Sequence, residues 1–342
     1  MRPQVICALA ALALGSAWGS TPLFAQAKAS RAIGAVEVRR LESALADDSM
    51  EGRLTASRGG ARAARFIAGE MKSIGLAPMG DSGYFQRVPV SATDSGITLR
   101  ASFTDSAPGR HETAVNVIGL LKGSDPRLAG EVIVVDAHYD HLGIGAPVAG
   151  DSIYNGADDD ASGTVSVLAV AKALARAPRP KRSILFVLTT GEEEGLLGTN
   201  WMLAHFPLPL DSVVANLETE MIGRPDSLAG GPGKAWLTGY DRSTMGAILA
   251  RAQVPIVADP RPSQHFFERS DNIAFAERGI PAHTLSTFNL HADYHQPSDD
   301  LSRIDFAHMT AVINSARRAV ELLANGPLPV WNPGGRPAPQ HD

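Results

Sequence analysis

The sequence has little of what usually carries covalent chemistry. It contains one cysteine, Cys7, in 342 residues. That residue falls in an N-terminal segment with the pattern of a cleavable signal, so the mature chain has neither a disulfide nor a thiol nucleophile. It has no G-x-S-x-G elbow and no H-E-x-x-H helix. Basic residues are outnumbered, 31 Lys and Arg against 36 Asp and Glu, with no basic run. This excludes a nucleic-acid footprint and offers nothing to an anionic membrane. No apolar run reaches the ~20 residues of a spanning helix. Finally, no Lys or Arg occurs between His138 and Lys172, although Asp158, Asp159 and Asp160 lie there in a row.

At the N-terminus, Arg2 precedes an apolar run from Val5 to Leu14, and Ala25-Gln26-Ala27 offers an A-x-A cleavage site. This predicts a signal peptide over 1–27, cleaved after Ala27. Cys7 opens the apolar run rather than closing it, so a lipid-bearing cysteine is not expected. Export without disulfides suggests a bacterial periplasm or the medium, with no membrane attachment after cleavage. A single domain is expected over 28–326, followed by a Pro- and Gly-rich loose tail over 327–342.

Within the domain, "GGARAARFIAGEMKSIGL" places Ala63, Phe66, Ile67, Met71 and Ile74 on one helical face, with Gly75 as a stop. "YFQRVPV" and "ITLRASF" alternate like strands. "AVNVIGLLKG", "VIVVDAH", "KRSILFVLTT", "DSVVANLETEM", "AWLTGY" and "PAHTLST" also read as strands, several of them continuous apolar runs that suit a buried parallel sheet. A helix follows the Asp run, with Val165, Leu168, Ala169 and Leu174 as its stripe and Ser162 as a candidate cap. Others are expected through Trp201 and near 242–252 and 306–325. Strand and helix alternate from about residue 115. The expected fold is therefore α/β: an open, mostly parallel mixed sheet with helices on both faces.

In such sheets, sites gather beyond the carboxyl ends of the strands. There the sequence places His138 and Asp140, the Asp158–Asp160 run, Glu192 to Glu194, Glu218 and Glu220, and a loop with His291, Asp293 and His295. Bare carboxylates this close repel one another, and a divalent cation reverses that logic. Carboxylate and imidazole without thiolate suit zinc. Charge balance favours two ions, because three carboxylates against two divalent cations leave one positive charge for a hydroxide to cancel.

Five segments in order, "AHYDH", "NGADDDASG", "TGEEEGLLG", "NLETEMIGR" and "DYHQPSDD", resemble the motifs of the M28 family of metallopeptidases. The resemblance runs from about residue 45 to 325. It implies a zinc-dependent exopeptidase fold and two zinc ions per chain. His138, Asp159 and Glu220 would hold one ion; Asp159, shared, would hold the second with Glu193 and His295. Glu192 takes the position of the general base, acting on a hydroxide shared by the ions. Asp140 and Asp299 resemble the carboxylates that orient zinc-bound imidazoles, of His138 and His295 respectively. The implied activity is release of N-terminal amino acids from peptides with a free N-terminus.

The chain departs from that pattern in two places. Glu220 stands where Asp is usual, with Glu218 on the same strand face as its rival. Asn272 replaces the His of a common Ser-Asp-His segment, which leaves the role of Ser270-Asp271-Asn272 open. Duller readings go to His141, His265, His283, His291 and His308, as surface or packing residues with His291 as reserve ligand. Asp160 is assigned to helix capping and dipole compensation. "GDSGY" at 80–84 has a serine-protease look but sits in a Gly-rich turn of the wrong fold. Competing functions are a single-zinc glutaminyl cyclase, a metal-free binding module, and a related carboxypeptidase or dipeptidase.

Overall fold

In a computed structural model, residues 32–93, 96–99 and 113–338 are described. The signal-like segment 1–27 and residues 100–103 of the strand "ITLRASF" lie outside them. All described elements belong to the unit Ile33–Asp342. In chain order the strands are β1 (Ala77–Pro78), β2 (Phe85–Val88), β3 (Val90–Thr93), β4 (Gly96–Leu99), β5 (Ala114–Leu121), β6 (Val132–His138), β7 (Gly143–Val148), β8 (Asp151–Tyr154), β9 (Ser183–Thr189), β10 (Val213–Glu220), β11 (Ala235–Leu237), β12 (Ile256–Ala258) and β13 (Ala282–Ser286). The α-helices are α1 (Ala35–Leu45), α2 (Arg58–Ile74), α3 (Ser162–Ala175), α4 (Leu197–Ala204), α5 (Met245–Arg251), α6 (Asn272–Glu277) and α7 (Phe306–Asn325).

The main sheet runs β1-β5-β9-β6-β10-β13-β11-β12, with β2 also on β5. Its centre, β9-β6-β10-β13, is parallel, and antiparallel pairs flank it. The apolar runs explain that centre. Every residue of β6 and β9 is buried. Along β6, Ile133, Val135 and Ala137 join one core cluster while Val132 and Val134 join another; along β9, Ile184, Phe186 and Leu188 alternate in the same way with Leu185 and Val187. A period of two with both sets buried requires cover on both faces. Helices α1, α2, α3 and α7 supply apolar side chains to the first cluster, and α4 and α6 to the second.

Local chemistry sets the helix ends. Ser57 Oγ accepts from Gly60 N at 3.1 Å to start α2, and Gly75 closes it at φ 85°. Asp305 accepts from the backbone N–H groups of Ala307 and His308 to start α7. Helix α3 differs from its expected cap. Ser162 is its first helical residue and donates to Asp158 O at 2.8 Å. Asp160 does the capping instead, accepting from Gly163 N at 2.8 Å. The α3 stripe also widens: burial covers nearly the whole helix, because it lies in the core between the sheet and other helices. The expected loose tail is anchored as far as it is described. Trp331 Nε1 donates to Gly279 O at 2.9 Å, and Asn332 N donates to Arg242 O at 2.9 Å.

Register positions the site. His138 pairs with Thr189, Glu218 with Asp136, and Glu220 with Ser286. The four parallel strands therefore end in one row, and the loops beyond that row carry the titratable residues.

Candidate metal centre

Six of the expected side chains converge. His138, at the end of β6, points Nε2 at Asp159 Oδ1, 3.4 Å away, and at Glu192 Oε2, 4.0 Å away. Asp159 turns its other oxygen, Oδ2, to His295 Nε2 at 3.1 Å. That same nitrogen lies 3.2 Å from Glu193 Oε2. Glu220 closes the cluster from the end of β10: ligand atoms of His138, Asp159 and Glu220 all lie within 4.8 Å of one another. Asp159 thus faces both sides of the cluster.

Backbone geometry makes this possible. Gly156, at φ 55°, lets the turn fold tightly: a Cβ there would sit 2.1 Å from Asp159 O and 2.5 Å from the His141 ring. Asp159 and Asp160, joined by a cis peptide bond, then take opposite tasks, the first facing the cluster and the second capping α3.

Glu218 does not join the cluster. It lies fully buried below, accepting from Ser270 Oγ, Thr284 Oγ1 and the backbone N–H groups of Asp271 and Asn272. This gives the Ser270-Asp271-Asn272 segment a structural part: it supplies donors to Glu218 at the start of α6.

The two orienting carboxylates differ from expectation. The nearest oxygen to His138 Nδ1 is the Asp140 carbonyl at 3.2 Å, with the carboxylate at 3.8 Å. The Asp140 side chain instead accepts from Glu192 N and Glu193 N at 3.3 and 3.4 Å, fixing the neighbouring loop. Asp299 is not on His295. It accepts from the backbone N–H groups of Asp158 and Asp159 and from Arg224, so it holds the acidic turn.

His141 was assigned to packing, yet it is part of the cluster. Its Nδ1 lies 2.8 Å from Glu193 Oε1, and the ring is fully buried. The visible signal was its place in "HYDH", on the loop that also carries His138 and Asp140. Reserve ligand His291 is elsewhere, 3.1 Å from Asp158 Oδ2. His283 bonds Ser243 and Thr238 O, His308 packs near Thr287, and His265 is exposed, as expected of packing and surface residues.

Electrostatics follow from burial and crowding. Burial opposes protonation of His138, but Glu192, Asp140 and Asp159 outweigh it and hold the imidazole well above its usual pKa. His295 is likewise pushed up to about 10, against burial, by Asp159 and Glu193. Asp159 is held well below the carboxylate range by His138 and His295, although burial opposes this. Burial, with Glu220 and Glu193 nearby, raises Glu192 well above that range. Burial and Asp159 raise Glu220 to about 7. Among protein groups alone, protons must balance the charge.

The donor set fits divalent cations. Two groups, His138-Asp159-Glu220 and His141-Asp159-Glu193, each bring three ligand atoms within 4.8 Å of one another. The Nε2 atoms of His138, His141 and His295 are buried and have no hydrogen-bond partner. Buried imidazole nitrogens left unpaired beside carboxylates are what a metal would satisfy. Beside them opens a pocket. Asp159, Glu192, Glu193 and Glu220 line it with Met221, Trp236, Phe266, Phe288 and Tyr294, and with the polar side chains of Thr238, Arg269, Thr284 and Ser286. The sequence did not reveal these aromatic residues, which come from three separate segments.

An open α/β sheet with a carboxylate–imidazole cluster beyond its parallel strand ends defines the class. The profile of peptidase family M28 matches residues 116–320, well over half of the chain. The protein belongs to that family. It is 29% identical to a probable leucine aminopeptidase 2 of Aspergillus fumigatus, over 72% of this chain and 46% of that protein. It is 27% identical to a probable leucine aminopeptidase 2 of Aspergillus oryzae, over 74% and 55%. The chain thus spans about half the length of these curated relatives. Among solved structures, a zinc aminopeptidase from Bacillus subtilis matches with TM-score 0.64 at 15% identity, over 86% of this chain and 96% of that one. Glutaminyl cyclase from Porphyromonas gingivalis matches with TM-score 0.63 at 15% identity, over 84% and 98%. At such identities these two likenesses speak for the fold.

Proposed function

We propose that this chain is a dizinc aminopeptidase that removes N-terminal residues from peptides. The carrying observation is that Asp159 presents one oxygen to His138 and the other to His295, 3.4 and 3.1 Å away. In this reading His138, Asp159 and Glu220 hold one zinc, and Asp159, Glu193 and His295 hold the other. Bound there, zinc would supply Lewis acidity, acidifying a water and drawing charge from the scissile carbonyl. Glu192 accepts the proton of the attacking water and passes it to the leaving amine. The acidic wall favours a substrate with a free ammonium group. The apolar wall of Met221, Trp236, Phe266 and Phe288 favours an apolar first side chain.

A single-zinc glutaminyl cyclase is the second reading, supported by the fold likeness to such an enzyme. Asp159, between the His138–Glu220 side and the Glu193–His295 side, favours the dizinc reading. In this proposal residues 1–27 direct export and are cleaved after Ala27, and the mature protein works in the periplasm or the medium. The test combines zinc analysis with a panel of amino-acid anilides, N-blocked controls and an N-terminal glutaminyl peptide. Release from free-amine anilides that stops on chelation and returns with Zn²⁺ is expected. Cyclisation of the glutaminyl peptide without anilide hydrolysis would transfer the case to the second reading.

A further inference from the structure

Two imidazoles close on Glu193, and they do so unequally. His295 Nε2 is nearly equidistant from Asp159 Oδ2 and Glu193 Oε2, at 3.1 and 3.2 Å. Ligands about 2.0–2.2 Å from one tetrahedral ion stand roughly 3.3 Å apart, so this trio fits a shared cation. His141 Nδ1 is 2.8 Å from Glu193 Oε1 but 3.8 Å from Asp159 Oδ2. The first is a hydrogen-bond length and the second is too long for one. We infer that His141 is a positioning residue for Glu193: its Nδ1 holds one carboxylate oxygen so that the other faces Asp159 and His295. The inference rests on the metal-centre reading above.

Its surroundings make His141 suited to that task. The ring has no solvent exposure, whereas the His295 side chain is 33% exposed. It packs against Gly156, where any side chain would collide with it. Nε2 of His141 has no partner, so the bond to Glu193 is the polar contact that orients the ring. The loop after β6 then grips the loop after β9 at two points. Asp140 accepts from the backbone N–H of Glu193, and His141 donates to its carboxylate. A glutamate held at its backbone N–H and at one carboxylate oxygen has fewer rotamers to lose and spends less entropy on binding an ion.

Calorimetric titration of Zn²⁺ into the metal-depleted protein tests this. The wild type takes up two ions in two steps. His141→Ala is expected to weaken the second step about 10–100-fold, as loss of an outer-sphere partner does, and to leave the first unchanged. His141→Asn, which keeps an N–H near the Nδ1 position, recovers most of that loss. His295→Ala abolishes the second step. Should His141→Ala fail to fold, His141→Leu fills the same buried space without a donor and carries the comparison. A wild-type second step in the Ala or Leu variant overturns the inference, as does an Asn variant no better than Ala. Loss of the second step in His141→Ala with its retention in His295→Ala also overturns it, by making His141 the ligand. A wild type that takes up no zinc in two steps would instead defeat the metal-centre reading itself.

Discussion

Strands β6 and β10 carry two layers of acid that look alike in sequence and differ in kind. In the lower layer Asp136 pairs in register with Glu218, and Asp271 lies close by; all three are fully buried. In the upper layer, two residues further along each strand, stand His138 and Glu220. In the lower layer both oxygens of Glu218 and one each of Asp136 and Asp271 are answered by neutral donors, while Asp136 Oδ2 and Asp271 Oδ1 have no partner. Asn216 Nδ2 lies 2.6 Å from Asp136 Oδ1, Thr189 Oγ1 lies 2.6 Å from Asp271 Oδ2, and Ser270, Thr284 and two backbone N–H groups serve Glu218. Burial, with the neighbouring acids, pushes Glu218 up to about 8 and Asp136 well above the carboxylate range. The upper layer adds imidazoles whose Nε2 atoms have no partner. Crowded carboxylates alone therefore do not define a metal centre here; unpaired nitrogen lone pairs beside them do.

Four experiments would sharpen or break that contrast. The largest effect belongs to Glu192→Gln. Turnover on an apolar anilide should fall by about 10²–10⁴-fold with zinc content unchanged, since only proton transfer is removed. Near-normal turnover would take Glu192 out of the proton path. Next, Glu220→Gln should weaken the first zinc by more than the ~10–100-fold typical of an outer partner. Glu218→Gln, two residues away, should keep both ions. Equal loss from the two variants, read by metal analysis after dialysis, would erase the distinction between the layers.

A smaller effect is expected on stability. Glu218→Ala strands the donors of Ser270, Thr284 and the start of α6. A cost of about 3 kcal/mol is expected in denaturant unfolding, because buried unsatisfied groups carry the penalty. The last effect is a pH slope. The folded carboxyl of Glu218, near 8, lies above its ordinary value of 4.5. Below about pH 4.5 both states hold the proton and the contribution is whole. As pH rises the unfolded chain releases its proton first, so stability falls until about pH 8. The wild-type-minus-Glu218→Gln difference in unfolding free energy should decline across that window, and a flat difference would show that Glu218 is not held protonated.

Much of this was legible because it depends on short-range pattern. The apolar runs of β6, β9 and β10 pointed to a parallel centre, and the helix expected near 306–325 is α7 (Phe306–Asn325). The candidate ligands could be found because strand ends and loops obey a topological rule. Contacts between distant segments were the ones that escaped. Asp299 and the acidic turn are more than 130 positions apart in the chain, and spacing from His295 said nothing about that pairing. His141 was passed over because an imidazole beside a ligand loop can face either the core or the cluster, and only the loop after β9 decides. The β7–β8 hairpin and α6 escape a sequence reading because the first is Gly-rich and the second has six residues, so both take their stability from tertiary contacts; α1 was missed as well.

The claim at the centre is that Asp159 serves two ions at once, and zinc content per chain after dialysis tests it most directly. Two equivalents in the wild type, and close to none in Asp159→Ala, is the result this account predicts. A wild type that holds a single zinc, or an Asp159→Ala variant that still holds two, would contradict it.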